Sequence, residues 1–226
     1  MWYAGKSSTL HLYLNFLMIS GAYTNQLCNL NPQYGNSLVA IDNTNVTLPN
    51  ANPWYSNTTI TSGSSCVTDG AKRDRLVWPG DMSVALPSIF ASTNDMDSVK
   101  NSLNSLLALQ NATTGLLPYA GYPFNENSIV SFTYHLYSLI GISYLYHYTG
   151  DLDYLESVWH NFTKGLSWSL SYIDDTGLMY VTSSADWLRV GMGGHVRIFF
   201  FRYIYIYIHS INTSRTSKQT QFFITP

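Results

Sequence analysis

Ser128–Tyr172 reads SIVSFTYHLYSLIGISYLYHYTGDLDYLESVWHNFTKGLSWSLSY, and the punctuation inside this stretch decides the fold. From about Ser128 to Tyr148 the run is long and apolar, as a helix buried in a core would be. Thr149-Gly150 closes it, because glycine tolerates the left-handed backbone just beyond a helix end. Asp151 is a helix-capping residue type. The helix it opens runs to about Tyr172, with Leu155, Val158, Trp159, Phe162, Leu166 and Leu170 along it. Two helices joined so tightly must run antiparallel and pack side by side.

Working outward, the same grammar recurs. Pro79-Gly80-Asp81 is a helix start, followed by an apolar-rich run to about Ser92. Asn94-Asp95 opens a further helix with Val99, Leu103, Leu106 and Leu107 at helical spacing. Between the two helix pairs lies a Gly/Pro/aromatic loop, TTGLLPYAGYPFNE (Thr113–Glu126). Downstream, DDTGLMYV (Asp174–Val181) reads as a turn and a short strand leading to Asp186-Trp187. Upstream, residues 23–66 read as loops, with Leu38–Ile41 a short strand. Antiparallel helix pairs closing into a ring would gather their aromatic loops around a central pocket. The expected fold is therefore all-α, an incomplete (α/α)6 barrel, since the visible helices are too few to close the ring.

Composition narrows the function. Charged residues make up only 11% of the 226 residues, whereas aromatics reach 15%, with 18 Tyr and 6 Trp. A surface so poor in charge is wetted by Ser, Thr and Asn, which suits an exported protein. The net charge of −2 and the lack of a basic block exclude an electrostatic footprint for nucleic acid. Glycosylation sequons at Asn45, Asn57, Asn111, Asn161 and Asn212 agree with secretion. Cys28 and Cys66 form either one disulfide, closing a loop of roughly 40 residues and worth about 2–4 kcal/mol, or two free thiols. No metal-ligand spacing involves them, and no cofactor is expected.

Thr68–Met82, TDGAKRDRLVWPGDM, gathers Asp69, Arg73, Asp74, Arg75, Trp78 and Asp81 in a chain otherwise short of charge. Glycoside hydrolysis needs one carboxylic acid to protonate the leaving oxygen and a carboxylate across the sugar. Arginine beside the acid and tryptophan beneath the ring would orient a carbohydrate. The stretch resembles the signature of the α-L-rhamnosidases of glycoside hydrolase family 78, notably the fungal-type enzymes. Tyr148–Asp151 and Ser184–Trp187 resemble that family too, in the same order, and the likeness covers about residues 21–195. The resemblance implies inverting hydrolysis of terminal α-L-rhamnosides, with Asp69, Arg73, Trp78, Asp81, Asp186 and Trp187 binding the sugar. The family's acid is usually a Glu within Arg-Asp-Glu-Arg. Here the chain reads Arg73-Asp74-Arg75, so Asp74 becomes the candidate acid. Inversion needs the two carboxyl groups roughly 6.5–9.5 Å apart. The partner base is expected beyond the part of the chain that carries the resemblance. The alternatives are a non-catalytic carbohydrate-binding pseudo-enzyme, or another glycosidase activity on the same barrel.

Two segments interrupt this reading. Residues 1–5 would run naturally into residue 21, whereas Lys6–Ser20, KSSTLHLYLNFLMIS, intrudes. Gly5-Lys6-Ser7 can be encoded by GGT-AAG-TC, which holds a splice-donor consensus, and Ser20-Gly21 by TCA-GG, which holds an acceptor. The segment is read as a translated intron, with a signal-like segment as the alternative. It is too short to span a membrane. The tail at residues 196–226, VRIFFFRYIYIYIHSINTSRTSKQTQFFITP, is low in complexity and reads as non-native. An open barrel should leave an apolar patch exposed near Trp168 and Leu178. The chain is therefore expected to aggregate and to lack hydrolase activity. A final expectation is that Asp69 and Trp78 border one open pocket with Asp186 and Trp187.

Overall fold

A computed structural model describes residues 9–31, 60–71, 75–121, 129–182 and 193–196. The described elements run α1 (Thr9–Leu27), β1 (Asn29–Leu30), β2 (Cys66–Val67), α2 (Pro79–Ser92), α3 (Met96–Ala108), α4 (Phe132–Thr149), α5 (Leu152–Leu170), β3 (Met179–Val181) and β4 (Gly194–Val196). The fold is all-α, with two small antiparallel strand pairs, β1–β2 and β3–β4. The expected strand at Leu38–Ile41 lies outside the described residues.

The helix boundaries follow from their caps. Asp95 accepts from the Ser98 N–H at the start of α3, and Asp151 accepts from the Tyr154 N–H at the start of α5. Ser131 accepts from the Tyr134 N–H, which starts α4 at Phe132, later than the apolar run alone suggests. Gly150 ends α4 with φ at +67°, a left-handed conformation that leaves the chain free to turn straight into α5. α2 and α3 thus form one helical hairpin, and α4 and α5 a second.

Burial separates the helices into inner and outer members. α4 buries Phe132, His135, Leu136, Leu139, Ile140, Ile142 and Leu145, around most of its circumference, and packs on α2, α3 and α5. α5 is amphipathic and buries one stripe, Leu155, Val158, Phe162, Gly165 and Trp168. The helices meet most closely at Gly141, where a Cβ would stand 2.8 Å from Ser83 Oγ and 3.0 Å from Leu103 Cδ2. Only glycine lets α4 approach α2 and α3 this closely. Serines do similar work on α3. Ser102 Oγ accepts from the Val67 N–H at 2.8 Å, and Ser65 and Ser98 share a hydroxyl–hydroxyl bond, so β2 lies directly on the helix.

Of the two readings of the cysteines, the second holds: Cys28 and Cys66 are free thiols. The strand register pairs Leu30 with Cys66, and the Thr68 N–H bonds to the Cys28 carbonyl, so Cys28 faces Thr68 instead. Cys28 and Cys66 become diagonal neighbours, typically about 7–8 Å apart, beyond the usual disulfide span. Near the expected apolar flank Trp168 is 8% exposed, whereas Leu170 and Tyr180 are exposed and Leu178 is half-buried. A second run of exposed apolar residues lies on α1, at Tyr13, Leu14, Phe16, Leu17, Met18 and Ile19.

Candidate active site

The motif enters from β2, pinned on α3 by Ser102. Just beyond it, Asp69 closes a loop upon itself. Its N–H donates to the Leu76 carbonyl at 3.1 Å, and its Oδ1 accepts from the Leu76 N–H at 3.0 Å. Arg73 and Asp74, between the two ends of that clasp in the sequence, lie outside the described residues. At the loop's far end Arg75 has a left-handed backbone, φ +49°, a conformation that strains a residue with a long side chain. Its Nε is buried without a hydrogen-bond partner. A strained residue of this kind is characteristic of functional loops.

After the clasp the chain turns inward. Leu76, Val77 and Trp78 are buried, and Trp78 adopts an extended backbone as the residue preceding α2, with Pro79 opening the helix. Trp78 is 7% exposed and sits against Tyr119 at 5.0 Å, edge to face, and against Tyr134 at 5.5 Å. The expectation that its ring forms an open platform for sugar is corrected: the ring is a packing centre behind the site. Aromatic residues prefer such edge-on contacts, worth about 0.5–1.5 kcal/mol beyond area burial.

The open space lies on the other side of α2. A cavity of about 400 Å³ is walled by Asp69 and Thr68 from the motif, Asp81 from the first turn of α2, and Tyr134 and Tyr137 from α4. Asn25 and Cys28 close it from the end of α1, and Val67, Val84, Ala85 and Ile89 give it an apolar side. The structure therefore brings Asp69 and Asp81 to one pocket, while Trp78 is only behind it. Asp186 and Trp187 lie outside the described residues.

The pocket is negative. Burial raises the Cys28 thiol, and the Asp69 and Asp81 charges raise it further. Cys28 thus stays a neutral thiol near pH 7 and is no nucleophile. Cys66 is pushed up to about 12 by burial alone. Among the described residues no three of His, Cys, Asp and Glu converge as a metal site requires. What the pocket can do is accept hydrogen bonds from hydroxyls through two carboxylates, while tyrosines and an aliphatic wall cover C–H surface. A few convergent polar groups beside an apolar wall are the lining of a small-molecule pocket.

The asparagine sequons differ in their surroundings. Asn111 is exposed, and its Oδ1 accepts from the Thr113 and Thr114 N–H groups, both at 2.9 Å. Asn161 is half-buried on α5. Its Nδ2 donates to Gln110 Oε1 at 2.8 Å, while Gln110 Nε2 returns a bond to the Asn161 carbonyl. Asn45 and Asn57 lie outside the described residues.

Two packed helical hairpins with a carboxylate-lined pocket beside them make up the described part of this all-α domain. The model of the family described as bacterial alpha-L-rhamnosidase 6 hairpin glycosidase domain matches residues 49–214, well over half of the chain. The chain belongs to this family. The matched region takes in the whole motif and both hairpins, begins after residue 21, and continues past residue 195. No curated protein matches the chain.

Proposed function

We propose that this domain binds and hydrolyses terminal α-L-rhamnosides by the inverting route, in the manner of glycoside hydrolase family 78 and its fungal-type members. The observation that supports this most is the meeting of Asp69 and Asp81 in one pocket, within the motif that led to the resemblance. In this reading Asp81 accepts hydroxyls of the sugar. It stands in the first turn of α2, where the helix dipole favours a carboxylate. Asp69 has a double task, since one of its oxygens also holds the loop that carries Arg73 and Asp74. Asp74 is the candidate acid, Arg73 its neighbouring cation, and Asp186 and Trp187 the further sugar ligands. No cofactor takes part.

The test is release of the chromophore from an aryl α-L-rhamnoside, with the product anomer followed by NMR. Turnover that yields the inverted anomer and is lost in Asp74→Asn supports the reading. Turnover only of other aryl glycosides would replace it by a different activity on the same domain. A second reading is carbohydrate binding without hydrolysis. Arg73-Asp74-Arg75, one residue short and lacking Glu, favours it, because an Asp acid has about one methylene less reach and catalysis is sensitive to shifts of order 1 Å. Saturable L-rhamnose binding with no turnover would establish that alternative.

Export is part of the same proposal. In a secretory host Asn111 should carry a glycan, since it is exposed on an Asx turn, whereas Asn161, half-buried with its Nδ2 bonded to Gln110, should carry little. Site occupancy by mass spectrometry checks this, and heavier occupancy at Asn161 than at Asn111 would contradict it.

A further inference from the structure

His135 lies on α4 one residue after Tyr134, which walls the pocket, yet it faces away from the pocket and is 0% exposed. Both ring nitrogens are engaged. Nδ1 accepts from the Leu117 N–H at 2.9 Å, which requires the proton to sit on Nε2. Nε2 lies 3.0 Å from the Gly165 carbonyl and 2.9 Å from Ser169 Oγ, both on α5. One neutral imidazole therefore joins α4, α5 and the start of the segment Leu117–Gly121.

That segment is the backing of the motif. Tyr119 places its ring edge-on to Trp78 and to Tyr134, each at 5.0 Å. The Gly121 N–H donates to the Val77 carbonyl at 2.8 Å. The line of contact thus runs from His135 to Leu117, through Tyr119 to Trp78, and so to the residue that precedes α2 and its Asp81. The same Tyr119 braces Tyr134 in the pocket wall.

Resting on the rhamnoside-site reading, we propose that His135 is a positioning residue for the pocket: its neutral form holds Leu117–Gly121 against Trp78, and protonation releases that segment. A protonated ring carries N–H on both nitrogens, so Nδ1–H would point at the Leu117 N–H, donor against donor. Nothing described around it offers relief. From α5 its neighbours are Gly165, Ser169 and the Trp168 ring at 4.5 Å, and the nearby Lys164 is bonded to the Ala112 carbonyl. From the segment itself the titratable group is Tyr119, turned to Trp78 and Tyr134, and on α4 the nearest are Tyr134 and Tyr137, both at the pocket. None of these contacts is a carboxylate. Burial accordingly holds the His135 ring down at about 4, against 6.5 for a free imidazole.

The experiment compares the full chain with His135→Gln, which retains an amide donor but does not titrate, and with His135→Leu, which leaves the Leu117 N–H unbonded. Near-UV circular dichroism reads the aromatic cluster, far-UV the helices, and titration with L-rhamnose the pocket, each followed from pH 6.5 down to about pH 3, a unit below the His135 value of about 4. The expected result is a near-UV step in the wild type with far-UV intact. Rhamnose affinity should fall about tenfold or more alongside it. The near-UV step should be absent in His135→Gln, in which only the pocket carboxylates still weaken binding in acid, and His135→Leu should resemble the acid form at every pH. A near-UV step that persists in His135→Gln overturns the proposal, as does loss of near-UV and far-UV signals together, which would reduce His135 to a general stabiliser. If L-rhamnose binds at no pH, the rhamnoside reading fails, and the near-UV step still decides the role of His135.

Discussion

α1 and α5 are both helices of 19 residues, and they relate to the protein in opposite ways. α5 places one apolar stripe on α4 and keeps polar residues outside, so Phe162 is 2% exposed and Leu155 also 2%. α1 carries Leu14, Phe16, Leu17, Met18 and Ile19 in near succession, on every side of the helix, so no single face can be buried. Phe16 is 67% exposed and Met18 70%. Only its last turns meet the protein, where Asn25 bonds Ser88 and the Cys28 carbonyl takes the Thr68 N–H. Hydrophobicity makes both segments helical, but periodicity makes only one of them part of a core. Asn25 in its last turn and Cys28 just beyond it line the pocket, and both come after the apolar run.

The comparison is sharpened first by truncating matched aromatic residues. Phe162→Ala should cost about 3–5 kcal/mol, because it empties a packed site between α5 and α4. Phe16→Ser should change stability by less than about 0.5 kcal/mol while reducing self-association. Denaturant melts and sedimentation read the two quantities, and equal losses of stability would show that α1 packs as α5 does.

The next largest effect is acid sensitivity of the α4–α5 side. An unfolded chain binds a proton on His135 below pH 6.5, whereas the folded chain resists it down to about 4. Stability from this group is therefore complete above pH 6.5 and is lost as pH falls towards 4. The full difference amounts to about 3 kcal/mol. Subtracting the pH–stability curve of His135→Gln from that of the wild type should isolate it. A flat difference would place no such load on the imidazole.

A smaller effect belongs to the motif clasp. Asp69→Ala leaves the Leu76 N–H without its acceptor and should cost about 1–3 kcal/mol. Asp69→Asn keeps an acceptor oxygen and should cost less, while still removing the charge from the pocket. Thermal melts separate the two variants, and identical losses would mean that charge rather than the backbone bond holds the loop.

Local signals carried the hairpins. Asp95, Asp151 and Gly150 are caps that act within a few residues of themselves, so their consequences could be read directly along the chain. The pocket was legible only where the motif itself supplied it, as with Asp69 and Asp81. Trp78 was misjudged because its neighbours, Tyr119 and Tyr134, arrive from distant segments and turn an expected platform into a buried ring. His135 gave no local sign at all, since Leu117, Gly165 and Ser169 come together only once α4, α5 and the loop have packed. Arg75 was visible as part of the charge cluster, but its left-handed backbone is a property of the closed loop. Trp168 itself is buried for a related reason: Phe132 and Tyr172 cover that ring, both within 5.0 Å.

The claim on which the rest depends is that the cavity between the motif and α4 holds a rhamnosyl group. Calorimetric titration with L-rhamnose, on the wild type and on Asp81→Asn, tests it without requiring turnover. The account predicts saturable one-to-one binding that weakens by about tenfold or more in the variant, as loss of a charged hydrogen-bond acceptor should cause. Binding of equal strength in both proteins, or none in either, would contradict it.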